Sequence, residues 1–137
     1  MLLIDHYVAE SDIHGLGVFS AQSVKRDDLT WEFNPVIDRE IPREKLSDLP
    51  DHVVEKIYKH AWYHPENNCF WLAADGDYFM NHSVMPTMEL RGLSYVAARD
   101  LVIGDELTCD YRVVKVFDYD PIAAEQDQRS LRIVGLE

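Results

Sequence analysis

Three short segments carry residue types that can do chemistry. Asn81-His82-Ser83 sets an amide, an imidazole and a hydroxyl side by side, directly after the apolar-leaning run Tyr78-Phe79-Met80. Alone, that tripeptide has the composition of a turn. Where two β-segments converge, the Asn and His side chains could instead bond a purine or an amino-acid ligand. Gly104-Asp105-Glu106-Leu107-Thr108-Cys109-Asp110-Tyr111 starts as a glycine turn, continues as a short strand and ends on an acid and a tyrosine. A tyrosine at the foot of a narrow pocket orients an amine through its hydroxyl oxygen, but the usual fate of tyrosine is a core aromatic with its hydroxyl near the surface. Gly15-Leu16-Gly17 either turns a hairpin or lets backbone amides approach a ligand closely. No third glycine and no helix follow it, so it is not a dinucleotide fingerprint. His52, His60, His64 and His82 lack tight ligand spacing, and Cys69 and Cys109 alone do not complete a zinc set, so no metal site is expected.

These segments need β-structure to position them. Leu2 to Val8 is apolar, Val18-Phe19 follows the glycine turn, and Leu29 to Phe33 mixes β-formers with one acid, so the first third reads as short strands. A helix is predicted from about Pro50 to Tyr63. Ser47 or Asp48 can cap it, Pro50 fits its first turn, and Val53, Val54, Ile57, Tyr58 and Ala61 form one apolar face. Phe70 to Ala74 is a strand ending at Asp75-Gly76, and Met88 to Leu90 pairs with Leu93 to Ala98 across Arg91-Gly92. Glu106 to Cys109 is a further strand, and Asp120-Pro121 opens a helix to about Arg129. Many short strands around one or two helices predict a single, mainly β domain over residues 1–137. Regular βαβ alternation is absent, which argues against a Rossmann-type fold.

Composition narrows the partners. The chain has 137 residues, 47% of them apolar, enough to bury a core without disulfides. Lysine and arginine total 13 against 25 aspartates and glutamates, a formal charge of −12. Such a chain repels the phosphate backbone, so direct nucleic-acid binding is disfavoured, while a basic peptide is attracted and its arrival speeded. Two cysteines make no disulfide framework, and a reducing, intracellular compartment is expected. Met1 to His6 has neither the basic lead nor the long apolar run of a signal peptide, and no stretch reaches the roughly 20 apolar residues of a membrane span.

Taken in order, the motifs resemble those of the SET-domain lysine methyltransferases. His14-Gly15-Leu16-Gly17-Val18-Phe19-Ser20 is similar to the opening motif of that family, and Asp75 to Ser83 to the segment leading into its Asn-His-Ser core. Ala98 to Leu107, followed by Asp110-Tyr111, is similar to the closing motif, so the resemblance covers roughly residues 4 to 112. It implies a β-clip fold of several short sheets whose carboxy-terminal segment threads beneath a loop, close to a knot. It also implies S-adenosylmethionine on one face and a basic or histone-like peptide on the other, joined by a narrow lysine channel. Gly15, Leu16 and Gly17 would hold the methionine end of the cofactor, Asn81 and His82 its amine and adenine, with Tyr78 and Phe117 also beside it. Tyr111 would lie beside the transferring methyl, and Cys109, Tyr111, Phe117 and Tyr119 would line the channel.

The implied reaction asks little of the protein beyond alignment. A free lysine has a pKa near about 10.4 and must lose a proton before it attacks. Apolar walls and the sulfonium charge lower that pKa, and the enzyme aligns the reacting atoms and excludes water. No general base is visible in the motifs, and none is needed. The chain departs from the family pattern at Thr87, where an asparagine is common, at Asp27, where a turn glycine is common, and at Cys109, where Phe or Tyr is common. The smaller Cys109 leaves room for di- or trimethylation. The cysteine-rich zinc segment that follows many SET domains is missing, leaving Phe117, Tyr119 and the helix near Pro121 to close the channel, or only to complete the core or a dimer contact. The competing reading is a non-catalytic module that keeps the fold and the cofactor for protein interaction. A homodimer would extend the peptide groove, although no residue pattern points to one.

Overall fold

Ten short strands and one α-helix make up residues 1–116, the part of the chain that the computed structural model describes. β1 (His6–Glu10) and β2 (Leu16–Ser20) form an antiparallel hairpin, and β10 (Glu106–Cys109) lies on its far side. β7 (Asn81–His82) pairs parallel with β10, giving the order β1-β2-β10-β7. A second sheet runs β3-β9-β8, from β3 (Leu29–Trp31), β9 (Ser94–Ala97) and β8 (Met88–Arg91). A third runs β4-β6-β5, from β4 (Arg39–Pro42), β6 (Cys69–Leu72) and β5 (Trp62–His64).

The mainly β architecture matches the sequence reading, with informative differences. The helix α1 (Asp51–His60) stops three residues short of Tyr63 because Trp62 and Tyr63 pair instead with Trp71 and Phe70. Neither Ser47 nor Asp48 caps it: both belong to a 3₁₀ turn (Arg43–Asp48), and Pro50 stands at the cap position without a side-chain bond. The hairpin turn after β8 falls on Gly92-Leu93, with Arg91 still paired to Ser94, because Gly92 takes the left-handed φ of +64°. Leu2 makes only an isolated bridge to Trp31, so β1 begins at His6. The second predicted helix, and the threading expected of the carboxy-terminal segment, fall outside the described residues.

Two clusters hold the domain together. The larger joins Val18, Met80, Met88, Ala97, Leu101 and Leu107 where the first two sheets meet. The smaller seats Ile57 and Ala61 of α1 on Leu46 and Phe70, with Val53, Val54 and Tyr58 at its margin, so the apolar helix face lies where its spacing put it. Burial of a side chain such as Phe70 or Leu107, each fully inaccessible, stabilises the fold by roughly 1.5–3 kcal/mol.

Candidate functional site

The parallel pair β7–β10 brings the two sequence motifs together, aligning Asn81 with Thr108 and His82 with Cys109. Asn81 is buried, and its Nδ2 donates to the His14 carbonyl at 3.0 Å, the Leu16 carbonyl at 3.1 Å and Glu106 Oε2 at 3.2 Å. One amide thus ties the glycine loop to β10. Ser11 donates to the same carboxylate at 2.7 Å. A Cβ at Gly17 would lie 2.9 Å from Glu106 Oε2 and 3.0 Å from Ser11 Cβ, so a larger residue would displace the carboxylate that Asn81 and Ser11 bond. Gly15 adopts φ +47° and faces open space, so its backbone is accessible.

The imidazole of His82 is buried, and its Nδ1 accepts the Tyr111 backbone N–H at 3.0 Å. His82 therefore positions Tyr111. The Tyr111 hydroxyl in turn donates to the Met80 carbonyl, one residue before Asn81. Its hydrogen is committed there. Asp110 holds Arg112 through paired bonds of 2.7 and 3.0 Å, and this guanidinium keeps the Asp110 carboxyl below its usual range. Thr87 does not leave a gap where the family has an amide. Its Oγ1 donates to the Glu106 carbonyl and accepts from Thr108 N, both at 2.9 Å, while Thr108 Oγ1 accepts from Thr87 N at 3.0 Å. Asp27 takes the left-handed φ of +72°, is exposed and pairs with Arg91, as a turn acid can.

Beside Tyr111 lies a cavity of about 50 Å³. Met80, Cys109 and Tyr111 line it from the motif side, Trp31, Trp62, Trp71 and Tyr95 from the other two sheets, and Asp38 and Asp77 add carboxylates. The aromatic wall is continuous: Trp62 meets Trp71 edge-on at 5.2 Å between centroids, and Trp31 meets Tyr95 edge-on at 6.0 Å. Burial pushes up both the Cys109 thiol and the Tyr95 phenol, which lie against each other, so both stay protonated near neutral pH. Burial, then the neighbouring Asp75 charge, pushes Asp77 up to about 7.

The site residues read from the motifs therefore fall into groups. Asn81, His82, Cys109, Tyr111 and the Gly15-Leu16-Gly17 loop converge. Tyr78 sits on the 3₁₀ turn Gly76–Phe79 and stacks on His60 at 4.1 Å, with His60 itself lining the cavity. Phe117 and Tyr119 lie outside the described residues. Val114 and Val116, from the segment after Tyr111, do line the cavity, so that segment contributes to its wall. The tryptophans and Asp77 were missed by motif reading. A sequence signal existed in the alternation of Cys69-Phe70-Trp71-Leu72, which sends Phe70 into one cluster and Trp71 to the opposite face.

Such a fold, with a glycine loop, an Asn-His pair and a terminal tyrosine meeting at a parallel bridge, defines a small β-clip domain. The SET domain family model matches residues 15–112, and the chain belongs to that family. No curated protein matches it in sequence. Among solved structures, a Plasmodium falciparum protein assigned as a histone methyltransferase aligns with TM-score 0.56 at 21% identity, over 80% of this chain and 95% of that one. Polycomb Repressive Complex 2 of Chaetomium thermophilum also aligns. Its apo form with mutations in Ezh2 gives TM-score 0.65 at 14% identity, over 90% of this chain and 16% of that one. An autoinhibited form bound to S-adenosylmethionine gives TM-score 0.62 at 14% identity, over 92% of this chain and 17% of that one. The chain thus spans about a sixth of the fungal chains.

Proposed function

We propose that the chain is a protein-lysine N-methyltransferase that takes its methyl group from S-adenosylmethionine and acts on a basic protein or histone-like tail. The observation that carries this reading is the Tyr111 hydroxyl. It donates to the Met80 carbonyl, His82 accepts the Tyr111 backbone N–H, and Tyr111 lines an aromatic cavity.

The residues present fit the cofactor. Asn81 Nδ2 is fully used within the protein, leaving Oδ1 to accept from a ligand amine, and the open backbone at Gly15 admits close approach. Gly15, Leu16, Gly17, Asn81 and His82 would hold it, with Tyr78 beside them. When bound, S-adenosylmethionine supplies an electrophilic methyl carbon on a sulfonium. The chain's own residues supply the rest. Trp31, Trp62, Trp71 and Tyr95 exclude water, which lowers the pKa of an entering lysine. Tyr111 Oη accepts from the amine and fixes its direction of attack, with weak C–H···O contacts to a polarised methyl as a further contribution. Cys109, smaller than an aromatic residue, leaves room for an already methylated amine. The excess of 25 acidic over 13 basic side chains draws in a basic peptide.

Calorimetry with S-adenosylmethionine, followed by methyl transfer to mixed core histones and other lysine-rich proteins, tests the reading. The wild type transfers methyl, and Tyr111→Phe binds the cofactor but loses on the order of 10²-fold in rate. Cofactor binding with no transfer to any lysine-rich protein would favour the non-catalytic module instead.

A further inference from the structure

The motif chemistry contains no base, yet the cavity holds a carboxylate that the resemblance does not account for. Asp77 sits on the 3₁₀ turn Gly76–Phe79, and it lines the same cavity as Met80, Cys109 and Tyr111. Its neighbour Asp75 is structural, since that carboxylate accepts Leu2 N at 2.8 Å and Asp77 N at 3.2 Å. Among the described residues the Asp77 carboxylate accepts no backbone hydrogen bond. The Trp31 indole faces it and favours its charged form, but Trp31 Nε1 makes no hydrogen bond of normal geometry among the described residues. Asp38 Oδ1, on another residue lining this cavity, is likewise buried without a partner among the described residues, while Tyr95 Oη lies against the Cys109 thiol. An aromatic wall, the Asp77 carboxylate and the unpartnered acceptor Asp38 Oδ1 in about 50 Å³ suit one small cation, where a water molecule takes roughly 30 Å³.

We propose that Asp77 receives the ammonium group of the substrate in this cavity and takes one of its protons before methyl transfer. This rests on the methyltransferase reading and adds a base to it. In the step, one N–H bond of the ammonium breaks, its electron pair stays on nitrogen, and an O–H bond forms on Asp77. No other reactant is consumed. The basicity fits: burial and then the Asp75 charge push Asp77 up to about 7, where a carboxylate accepts a proton far more readily than an exposed one. The groups facing it are Asp75, Asp38 and the Met1 ammonium, with His60, Cys109, Tyr95 and Tyr111 around the cavity.

All three tryptophans of the chain line the cavity, so intrinsic fluorescence reports it directly. The test titrates the whole chain with n-pentylammonium chloride and with 1-pentanol, a neutral probe of the same length. At pH 8 the wild type binds the ammonium at least about 10-fold more tightly than the alcohol, and at pH 5.5 that preference disappears. Asp77→Asn loses the preference at pH 8 while binding pentanol as before, which shows the cavity intact, and Asp77→Glu keeps part of it. In methyl transfer to core histones, the wild-type rate rises with pH through an acid limb near 7 that Asp77→Asn lacks. Equal ammonium preference in wild type and Asp77→Asn, or an unchanged acid limb in the variant, overturns the proposal. A wild type that keeps the ammonium preference but methylates nothing overturns the methyltransferase reading and leaves the ammonium site standing.

Discussion

Replacing Asp77 by asparagine should change the pH dependence of stability in a calculable way. The carboxyl ionises near 7 in the folded chain against 3.8 for an unperturbed aspartate. Between those values the folded state binds more protons than the unfolded one, so stability falls as pH rises from about 4 to about 7 and then levels off. At about 1.4 kcal/mol for each pH interval, the loss has an upper bound of about 4 kcal/mol. Asp77 is only partly buried by accessible surface, and solvent entering the cavity reduces this to roughly 2 kcal/mol. Asparagine carries no charge and removes the slope. Asp77→Asn should therefore match the wild type at pH 4 and exceed it by roughly 2 kcal/mol at pH 8.5. Urea unfolding of both chains at pH 4, 6, 7 and 8.5, followed by tryptophan fluorescence, measures the difference, and carboxylates common to both chains largely cancel in it. A difference that stays constant across this range would refute the reasoning, and one that grows toward low pH would invert its sign.

Cys109→Phe should fill the cavity beside Tyr95 and limit product to the monomethyl form; mass spectrometry showing unchanged higher methylation would count against the size argument. Gly76→Ala places a Cβ 2.6 Å from the His6 ring and should cost about 1–3 kcal/mol in denaturant unfolding, most of it recovered when His6→Ala is added. Thr87→Val keeps the shape but strips Thr108 N and the Glu106 carbonyl of their partner, for a loss of about 2–3 kcal/mol. The same variant should weaken cofactor affinity in calorimetry, because Glu106 anchors the Asn81 amide.

Local chemistry was the legible part of this chain. The strand Glu106–Cys109 and the glycine loop could be read because alternation and turn residues act over a few positions. The convergence of Asn81, His82 and Tyr111 followed from motif order. What escaped reading depends on distant partners. β4 has no strong local signal and exists because Arg39–Pro42 finds β6. α1 gives up Trp62 and Tyr63 for the same reason. Asp77 carries no local signal that sets it apart from the other acids of the chain, and only the meeting of residues from three sheets places it in an aromatic cavity.

The parallel pairing of β7 with β10 has a kinetic consequence. Its two strands are separated by the whole β8–β9 hairpin, and β10 must also find β2, from the first twenty residues. Pairings this distant in sequence close late, after their loop entropy has been offset by other contacts. Asn81 and Tyr111 therefore come into register only in a nearly finished molecule. Ligand capture during refolding should lag behind the burial of α1, and a ligand added early would act as a trap for completed molecules.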